Sequence, residues 1–157
     1  MPLEAILVRA SEKPQLWALL QDYIHELSVY DEFEAIDGVY PYRFFDAYWQ
    51  VGEQRWPYWA ISNGERVGFG LIRREETGEM EVAEFYVRPR FRRSGIGVAF
   101  ARLLLSKHPG TWLMSEYRAN TSAVLFWHKV IDGWQFAEEK YVGDGGKDRL
   151  LQRVEVT

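Results

Sequence analysis

The sequence predicts one α/β domain over residues 1–157, of the α+β kind, in which a central mixed β-sheet carries helices on both faces. Two hairpin signals predict antiparallel strands: Asn63-Gly64 and the glycine-rich segment 143–146 each separate two strand-like runs. The segment 80–117 predicts a parallel pair, since it contains a strand, a glycine turn, a helix and a second strand. Strands that are joined through a helix pair in parallel by a right-handed crossover.

The first half of the chain is predicted to contain a strand, two helices and a hairpin. Ser11 can cap the first helix through its hydroxyl oxygen, and Pro14 is tolerated in the first turn. Apolar residues at helical spacing then give this helix one face for the core. The predicted elements are a strand at residues 4–10, a helix from Ser11, a short helix at 44–49, and strands at 58–62 and 66–72.

The second half is predicted to contain four strands and two helices. Pro89 lacks a backbone donor and ends the strand before it, and Ser94 is a candidate N-cap for the next helix. Pro109-Gly110 closes that helix, and Asn120 can cap the one that follows. The predicted elements are a strand at 80–87, a helix at 95–106, a strand at 111–117, a helix from Asn120, and strands at 134–142 and 149–156.

Composition narrows the classes of function. Hydrophobic residues make up 47% of the chain and charged residues 27%, as in soluble globular proteins. A net charge of −4 argues against a general binder of nucleic acid or of anionic membranes. The chain has no cysteine for a disulfide, a thiol nucleophile or a metal site, and its three histidines lack ligand spacing. No signal peptide or transmembrane run is visible, so a cytoplasmic location is expected.

The strand at 80–87 has side chains of alternating character at its end. Ala83, Phe85 and Val87 alternate with Glu84 and Tyr86. Successive side chains on a strand point to opposite faces, so the pattern places the first three residues on one face. Glu84 is therefore predicted to face the side opposite Phe85 and Val87.

The turn after this strand predicts a site for a phosphate group. Gly95 and Gly97 let the backbone approach a bulky ligand, and a helix start combines unpaired N–H groups with the positive end of the helix dipole. A P-loop would need Gly-Lys-Ser or Gly-Lys-Thr after the glycines, and neither is present. A dinucleotide fingerprint would need a third small residue where Phe100 stands.

The glycine turn resembles the signature Arg/Gln-x-x-Gly-x-Gly/Ala of the GNAT N-acetyltransferase superfamily. Arg92, Gly95 and Gly97 match it. A second motif, Asn120-x-x-Ala followed by Phe126-Trp127, resembles the family's Asn-x-x-Ala…aromatic signature on the helix after the fifth strand. The element order also resembles the GNAT fold over nearly the whole chain. The combined pattern looks like that of a bacterial group of predicted acetyltransferases.

The resemblance implies that the donor is acetyl-coenzyme A and that no metal is required. Its pyrophosphate would lie on the glycine turn, and its pantetheine arm between two parallel strands that splay apart. The asparagine and aromatic residues of the second motif would contact the arm as well. The alternative for the arginine-rich turn is that it is an ordinary solvated surface turn. The alternative for Trp127 is that its side chain packs in the core and does not contact the donor. The implied contacts are Phe85, Tyr86, Val87, Arg92, Arg93, Ser94, Gly95, Ile96, Gly97, Val98, Asn120, Phe126 and Trp127.

The implied reaction needs a base for the acceptor amine. An amine with a pKa of about 10.4 is mostly protonated at neutral pH, and attack needs its lone pair. Glu84 is the candidate base, directly or through a water, and the alternative is a carboxylate in an ion pair on the sheet surface. Many family members place a tyrosine acid where this chain has Trp127, so Tyr117 and Tyr141 are the substitutes available for protonating the thiolate.

An acidic and aromatic segment between the first helix and the second strand is expected to contact the acceptor. Its carboxylates and aromatic rings suit a cationic amine, and the alternative is an acidic surface loop. The residues predicted to bind the acceptor are Tyr30, Asp31, Glu34 and Tyr42.

The predicted function is transfer of an acetyl group from acetyl-coenzyme A to a primary amine, by direct attack in a ternary complex. The acceptor is expected to be a small molecule or a protein, and the enzyme a monomer or a homodimer. The alternative function is a non-catalytic sensor or interaction module that binds acyl-coenzyme A, which the tryptophan at position 127 favours.

Overall fold

A computed structural model describes residues 2–157, which form seven strands and three α-helices together with short 3₁₀ helices. The sheet has the strand order β1-β2-β3-β4-β5-β7-β6. The strands are β1 Leu3–Leu7, β2 Arg55–Ser62, β3 Glu65–Arg74, β4 Met80–Val87, β5 Gly110–Tyr117, β6 Gln135–Val142 and β7 Asp148–Val156. The α-helices are α1 Lys13–Leu27, α2 Ile96–Ser106 and α3 Thr121–Ile131.

The sheet is mixed, as predicted, because β4 and β5 pair in parallel and the other neighbours pair antiparallel. The hairpin between β2 and β3 turns at Asn63 and Gly64, whose φ angles of 54° and 74° are both positive. These are the conformations that the asparagine-glycine signal predicts.

Helices cover both faces of the sheet and divide the core into two parts. On one face α1 packs Leu16 and Leu20 against the sheet residue Phe69. On the other face Phe100 of α2 and Val130 of α3 pack in the second cluster. Each helix buries one apolar stripe, which is what stabilises an amphipathic helix on a sheet.

A β-bulge in β4 changes which side chains share a face. Leu71 of β3 pairs with Glu84 and Ile72 pairs with Val82, so Ala83 is an extra residue between two paired positions. Ala83 packs in the cluster beneath α1, whereas Phe85 packs in the cluster beneath α2 and α3. The prediction that Ala83 and Phe85 share a face is therefore wrong.

The bulge also determines where Glu84 points. Val82 belongs to the cluster on the α2–α3 face. Strict alternation from Val82 would turn Glu84 toward that same face, and the extra residue turns it toward α1 instead. The prediction that Glu84 lies opposite Phe85 is confirmed, and the bulge is the reason.

The two parallel strands are paired only at their beginnings. Met80 pairs with Trp112 and Glu81 with Leu113, and no later pair joins β4 to β5 within residues 2–157. The second half of β4 therefore borders a gap between the strands. Backbone N–H and C=O groups that face such a gap are available to an extended ligand.

Two local predictions about helix caps are wrong. Ser11 lies inside a 3₁₀ helix, Ala10–Glu12, rather than at the cap of α1. Ser94 donates its hydroxyl to the carbonyl of Phe91 at 2.7 Å, and Gly95, with φ of 85°, occupies the N-cap of α2. The predicted short helix is a 3₁₀ helix, Asp46–Trp49, because its bonds close over three residues. Within residues 2–157 no helix is both long enough and apolar enough to cross a bilayer.

Candidate active site

The carboxylate of Glu84 lies beyond the part of β4 that pairs with β5, on the face that α1 covers. Its Oε1 accepts a hydrogen bond from the hydroxyl of Tyr23 at 2.9 Å, and its Oε2 accepts one from the hydroxyl of Tyr42 at 2.8 Å. Burial raises the pKa of the Glu84 carboxyl from 4.5 to about 7, although both tyrosine bonds favour the charged form. A group that exchanges its proton near neutral pH is suited to act as a general base.

The two tyrosines that hold Glu84 remain protonated. Burial, together with the adjacent Glu84 carboxylate, raises the pKa of both Tyr23 and Tyr42 above 10, the usual tyrosine value. Tyr42 is therefore a hydrogen-bond donor to the candidate base. Tyr23 was missed as a site residue, because at the sequence level it is one more member of the apolar stripe of the first helix.

Tyr117, at the end of β5, contacts the segment that was predicted to bind the acceptor. Its hydroxyl donates to Asp31 Oδ2 at 3.0 Å, and its ring stacks on Tyr30 with the centroids 6.2 Å apart. Burial, with the bond to Asp31, raises the pKa of Tyr117 to about 12. Tyr117 also adds to the raised pKa of Tyr23, so the two hydroxyls are within electrostatic reach of each other.

Tyr141, the other candidate acid, is exposed and donates its hydroxyl to Ser115 Oγ at 3.2 Å. Of the four predicted acceptor residues and Tyr117, four of the five lie in or beside the candidate site. Tyr30, Asp31 and Tyr117 contact one another, and Tyr42 contacts Glu84. The fifth, Glu34, is exposed on the loop. Glu34 thus fits the alternative prediction of an acidic surface loop. Asp31 does not fit it, because Asp31 accepts a hydrogen bond from the buried Tyr117.

The turn before α2 is shaped by two arginines and a glycine. Arg92 donates from Nε to the carbonyl of Val87 at 2.7 Å and from Nη2 to Glu26 of α1 at 2.9 Å, so its charge has a partner within the protein. Arg93 is exposed and takes a positive φ of 62°, which is rare outside glycine. Among residues 2–157, no side chain caps the start of α2 after Gly95. An uncapped helix start is suited to bind an anion.

Gly97 and Gly95 have different reasons to be glycine. A Cβ on Gly97 would lie 2.9 Å from Cε1 of Phe126 and 3.4 Å from Cγ2 of Val87, so α2 approaches α3 closely here. A Cβ on Gly95 would meet nothing within 4 Å, and that position needs glycine for its φ of 85°. Gly97 thus allows a close approach to Phe126 within the fold, and its predicted approach to a ligand stays a prediction.

The aromatic pair of the second motif packs on β4. Phe85 lies 5.4 Å from the ring of Phe126 and 5.2 Å from the ring of Trp127, measured between centroids. Trp127 is buried in the core and Phe126 is partly buried. The core interpretation of Trp127 thus describes its packing, and its contact with a ligand stays a prediction.

The remaining residues that were predicted to bind the acetyl donor lie along the gap between β4 and β5 and at the starts of α2 and α3. Asn120 caps α3 as predicted, since its Oδ1 accepts the N–H of Ala123 at 3.2 Å. Tyr86 is buried on the α1 face, whereas Ile96 and Val98 are partly buried near the start of α2. Within residues 2–157 no group of three or more acidic or histidine side chains is arranged to hold a metal ion.

Comparison with known proteins identifies the family. The model of the acetyltransferase (GNAT) family matches residues 17–131, which is most of the chain. The chain belongs to this family. A comparison with curated proteins found no match.

Solved GNAT structures share the fold over the full length. An N-acetyltransferase from Staphylococcus aureus Mu50 has a TM-score of 0.70 at 16% identity, with 100% of both chains covered. A ribosomal-protein-alanine N-acetyltransferase from Brucella melitensis has a TM-score of 0.68 at 17% identity, again over 100% of both chains. A GNAT family acetyltransferase from Elizabethkingia anophelis, solved with acetyl-CoA bound, has a TM-score of 0.66 at 16% identity and 98% coverage of both chains.

The family match confirms the predicted superfamily, and the solved structures confirm the predicted fold. The family match spans both sequence motifs and runs from within α1 to the end of α3. At such identities the solved structures carry the fold alone, so the roles of individual side chains depend on the geometry described above.

Proposed function

We propose that this protein transfers an acetyl group from acetyl-coenzyme A to a primary amine, and that the amine attacks the thioester directly. The observation that carries the proposal is the Glu84 carboxylate, turned by a β-bulge toward the α1 face and held by two tyrosine hydroxyls. The pKa of about 7 lets this group accept a proton at neutral pH.

The donor would occupy the gap between β4 and β5. Its extended arm is amide-like and would bond to the backbone of β4 near Phe85, Tyr86 and Val87, on the edge that does not pair with β5. The Val87 carbonyl on this stretch already accepts a bond from Arg92. Its pyrophosphate would lie on the uncapped start of α2, next to the exposed Arg93. Arg92 would contribute less charge to the donor, because it is already paired with Glu26.

In the reaction, the amine nitrogen bonds to the acetyl carbon, the carbon–sulfur bond breaks and the amine proton passes to Glu84. The thiolate leaves with the electron pair of the broken bond. A coenzyme thiol with a pKa near 8.5 leaves as a tolerable thiolate, and the protonated Tyr117 is the candidate acid. The acceptor would enter from the α1 face, where Asp31 and Tyr42 lie.

The test is binding of acetyl-coenzyme A by calorimetry, followed by thiol release with a panel of primary amines. The proposal expects binding and amine-dependent thiol release, with the acetylated amine confirmed by mass spectrometry. Binding without release on any acceptor would favour the sensor alternative. Absence of binding would contradict both.

A further inference from the structure

We propose that the acceptor carries a carboxylate in addition to its amine, and that Arg149 binds this carboxylate. The substrate class would then be free amino acids and related zwitterionic amines. The inference rests on the proposed acetyl transfer for its chemistry, and it concerns a residue that the family motifs do not include.

Arg149 is a cation without a carboxylate partner. It lies at the start of β7 and is partly buried. Its Nη2 donates to Ser115 Oγ at 3.1 Å, while its Nε is buried and has no hydrogen-bond partner. The ion pairs among residues 2–157 do not include it. A carboxylate that binds at the edge of the guanidinium that Ser115 leaves open would give this cation a partner of opposite charge.

The guanidinium is held in place by its neighbours. Its Cζ lies 4.2 Å from the centroid of the Tyr117 ring, and the bond to Ser115 fixes one end of the planar group. Stacking on one face leaves the edges of a guanidinium for hydrogen bonds. The fork of N–H groups at such an edge matches the two oxygens of a carboxylate.

Arg149 also lines a cavity with charges of both signs. The cavity has a volume of about 540 Å³ and lies between the acidic segment after α1 and the β6–β7 hairpin. Asp31, Glu32 and Asp144 contribute carboxylates, and Lys147 and Arg149 contribute cations. The remaining lining residues are Phe33, Tyr141, Val142, Gly143 and Gly145.

Tyr117 contacts two residues that line this cavity, Asp31 and Arg149. The hydroxyl of Tyr117 donates to Asp31, which lines the cavity. The guanidinium of Arg149 stacks on the ring of Tyr117. The charge of Arg149 in turn lowers the pKa of Glu84, so the guanidinium and the base are within electrostatic reach. In the proposed complex, a substrate with its carboxylate on Arg149 directs its amine toward Glu84.

Matched acceptors test the inference on the unmodified protein. Each amino acid is compared with its decarboxylated amine and its carboxamide, for example lysine with cadaverine and lysinamide. We expect kcat/KM to be about 10- to 100-fold higher for the member with the carboxylate, the range for one charge-assisted interaction. Equal or better use of the decarboxylated amines would overturn the inference while leaving the proposed acetyl transfer in place.

Variants of Arg149 test whether this residue causes the preference for acceptors that carry a carboxylate. Arg149→Gln should abolish the preference for the carboxylate, and Arg149→Lys should restore part of it through charge alone. Lys140→Gln, at an exposed site of β6 outside the cavity lining, is the control that should keep the preference. A preference that survives in folded Arg149→Gln would overturn the assignment, and circular dichroism verifies folding.

A direct measurement of acceptor binding tests the inference even if no acceptor is acetylated. Saturation-transfer NMR with amino acids and their decarboxylated amines, in the presence of coenzyme A, should show contact only for the carboxylate-bearing members. If no amine is acetylated, the proposed function fails and this measurement alone decides the inference. Contact by both classes, or by neither, would count against it.

Discussion

Replacing Glu84 by glutamine should remove activity and at the same time stabilise the fold. Glutamine keeps the volume of the side chain and still accepts one hydrogen bond, but it cannot take a proton. Positioned bases contribute about 10²- to 10⁴-fold to turnover, so kcat should fall by that range. Affinity for acetyl-coenzyme A should change little, because the carboxylate faces α1 and the tyrosines rather than the start of α2.

The change in stability follows from the pKa of Glu84. Folding raises this pKa from 4.5 to about 7, so between these values the folded state binds more protons than the unfolded state. Stability from this group is present below pH 4.5 and is lost as the pH rises through 7. At about 1.36 kcal/mol per pKa unit, the ionised carboxylate costs at most about 3 kcal/mol at pH 8. Residual solvent contact and the loss of one tyrosine hydrogen bond reduce the expected gain. The free energy of unfolding of Glu84→Gln should therefore exceed that of the wild type by roughly 1–2 kcal/mol at pH 8.

The assay combines chemical denaturation at pH 5 and pH 8 with steady-state turnover at pH 7.5. Glu116→Gln is the matched control, because burial also raises the pKa of Glu116 to about 7. Glu116 is buried and accepts a bond from Gln152 at 2.5 Å, and alternation along β5 turns it to the α2–α3 face with Met114. Both variants should be more stable at pH 8, and only Glu84→Gln should lose turnover. Near wild-type turnover in Glu84→Gln, or an equal loss in Glu116→Gln, would refute the role of Glu84.

Three further predictions follow from the same contacts. Tyr42→Phe removes a bond that favours ionised Glu84, so the acidic limb of the pH–rate profile should move upward by roughly 1–2 units; an unchanged limb would contradict this. Gly97→Val should destabilise the fold by about 1–3 kcal/mol through contact with Phe126, measured by denaturation against Ala99→Val, an exposed site on the same helix. Asn120→Asp keeps the cap of α3, so the free energy of unfolding should not change. Calorimetry should show weaker binding of acetyl-coenzyme A, because the variant loses the amide N–H groups that are predicted to contact it. Unchanged affinity would exclude that contact.

Elements that depend on local sequence could be predicted from it. The bounds of β4, Met80–Val87, agree with the predicted strand, since alternation and a terminal proline are local features. The hairpin at Asn63 and the cap at Asn120 likewise depend on residues within a few positions. Ser94 fails as a cap because Gly95 takes a left-handed conformation there, which nothing in the sequence excludes.

The sequence by itself therefore determined the order of the elements, the glycine turn and the choice of Glu84 as a candidate base. Only the tertiary structure decided why Glu84 faces α1, because the bulge exists only where β4 pairs with β3. It also decided the environment of that carboxylate. Tyr23 lies 61 residues away in sequence, and burial is a property of all the elements that surround a group. Pairing and burial join residues that are distant along the chain, and no local pattern of side chains records them.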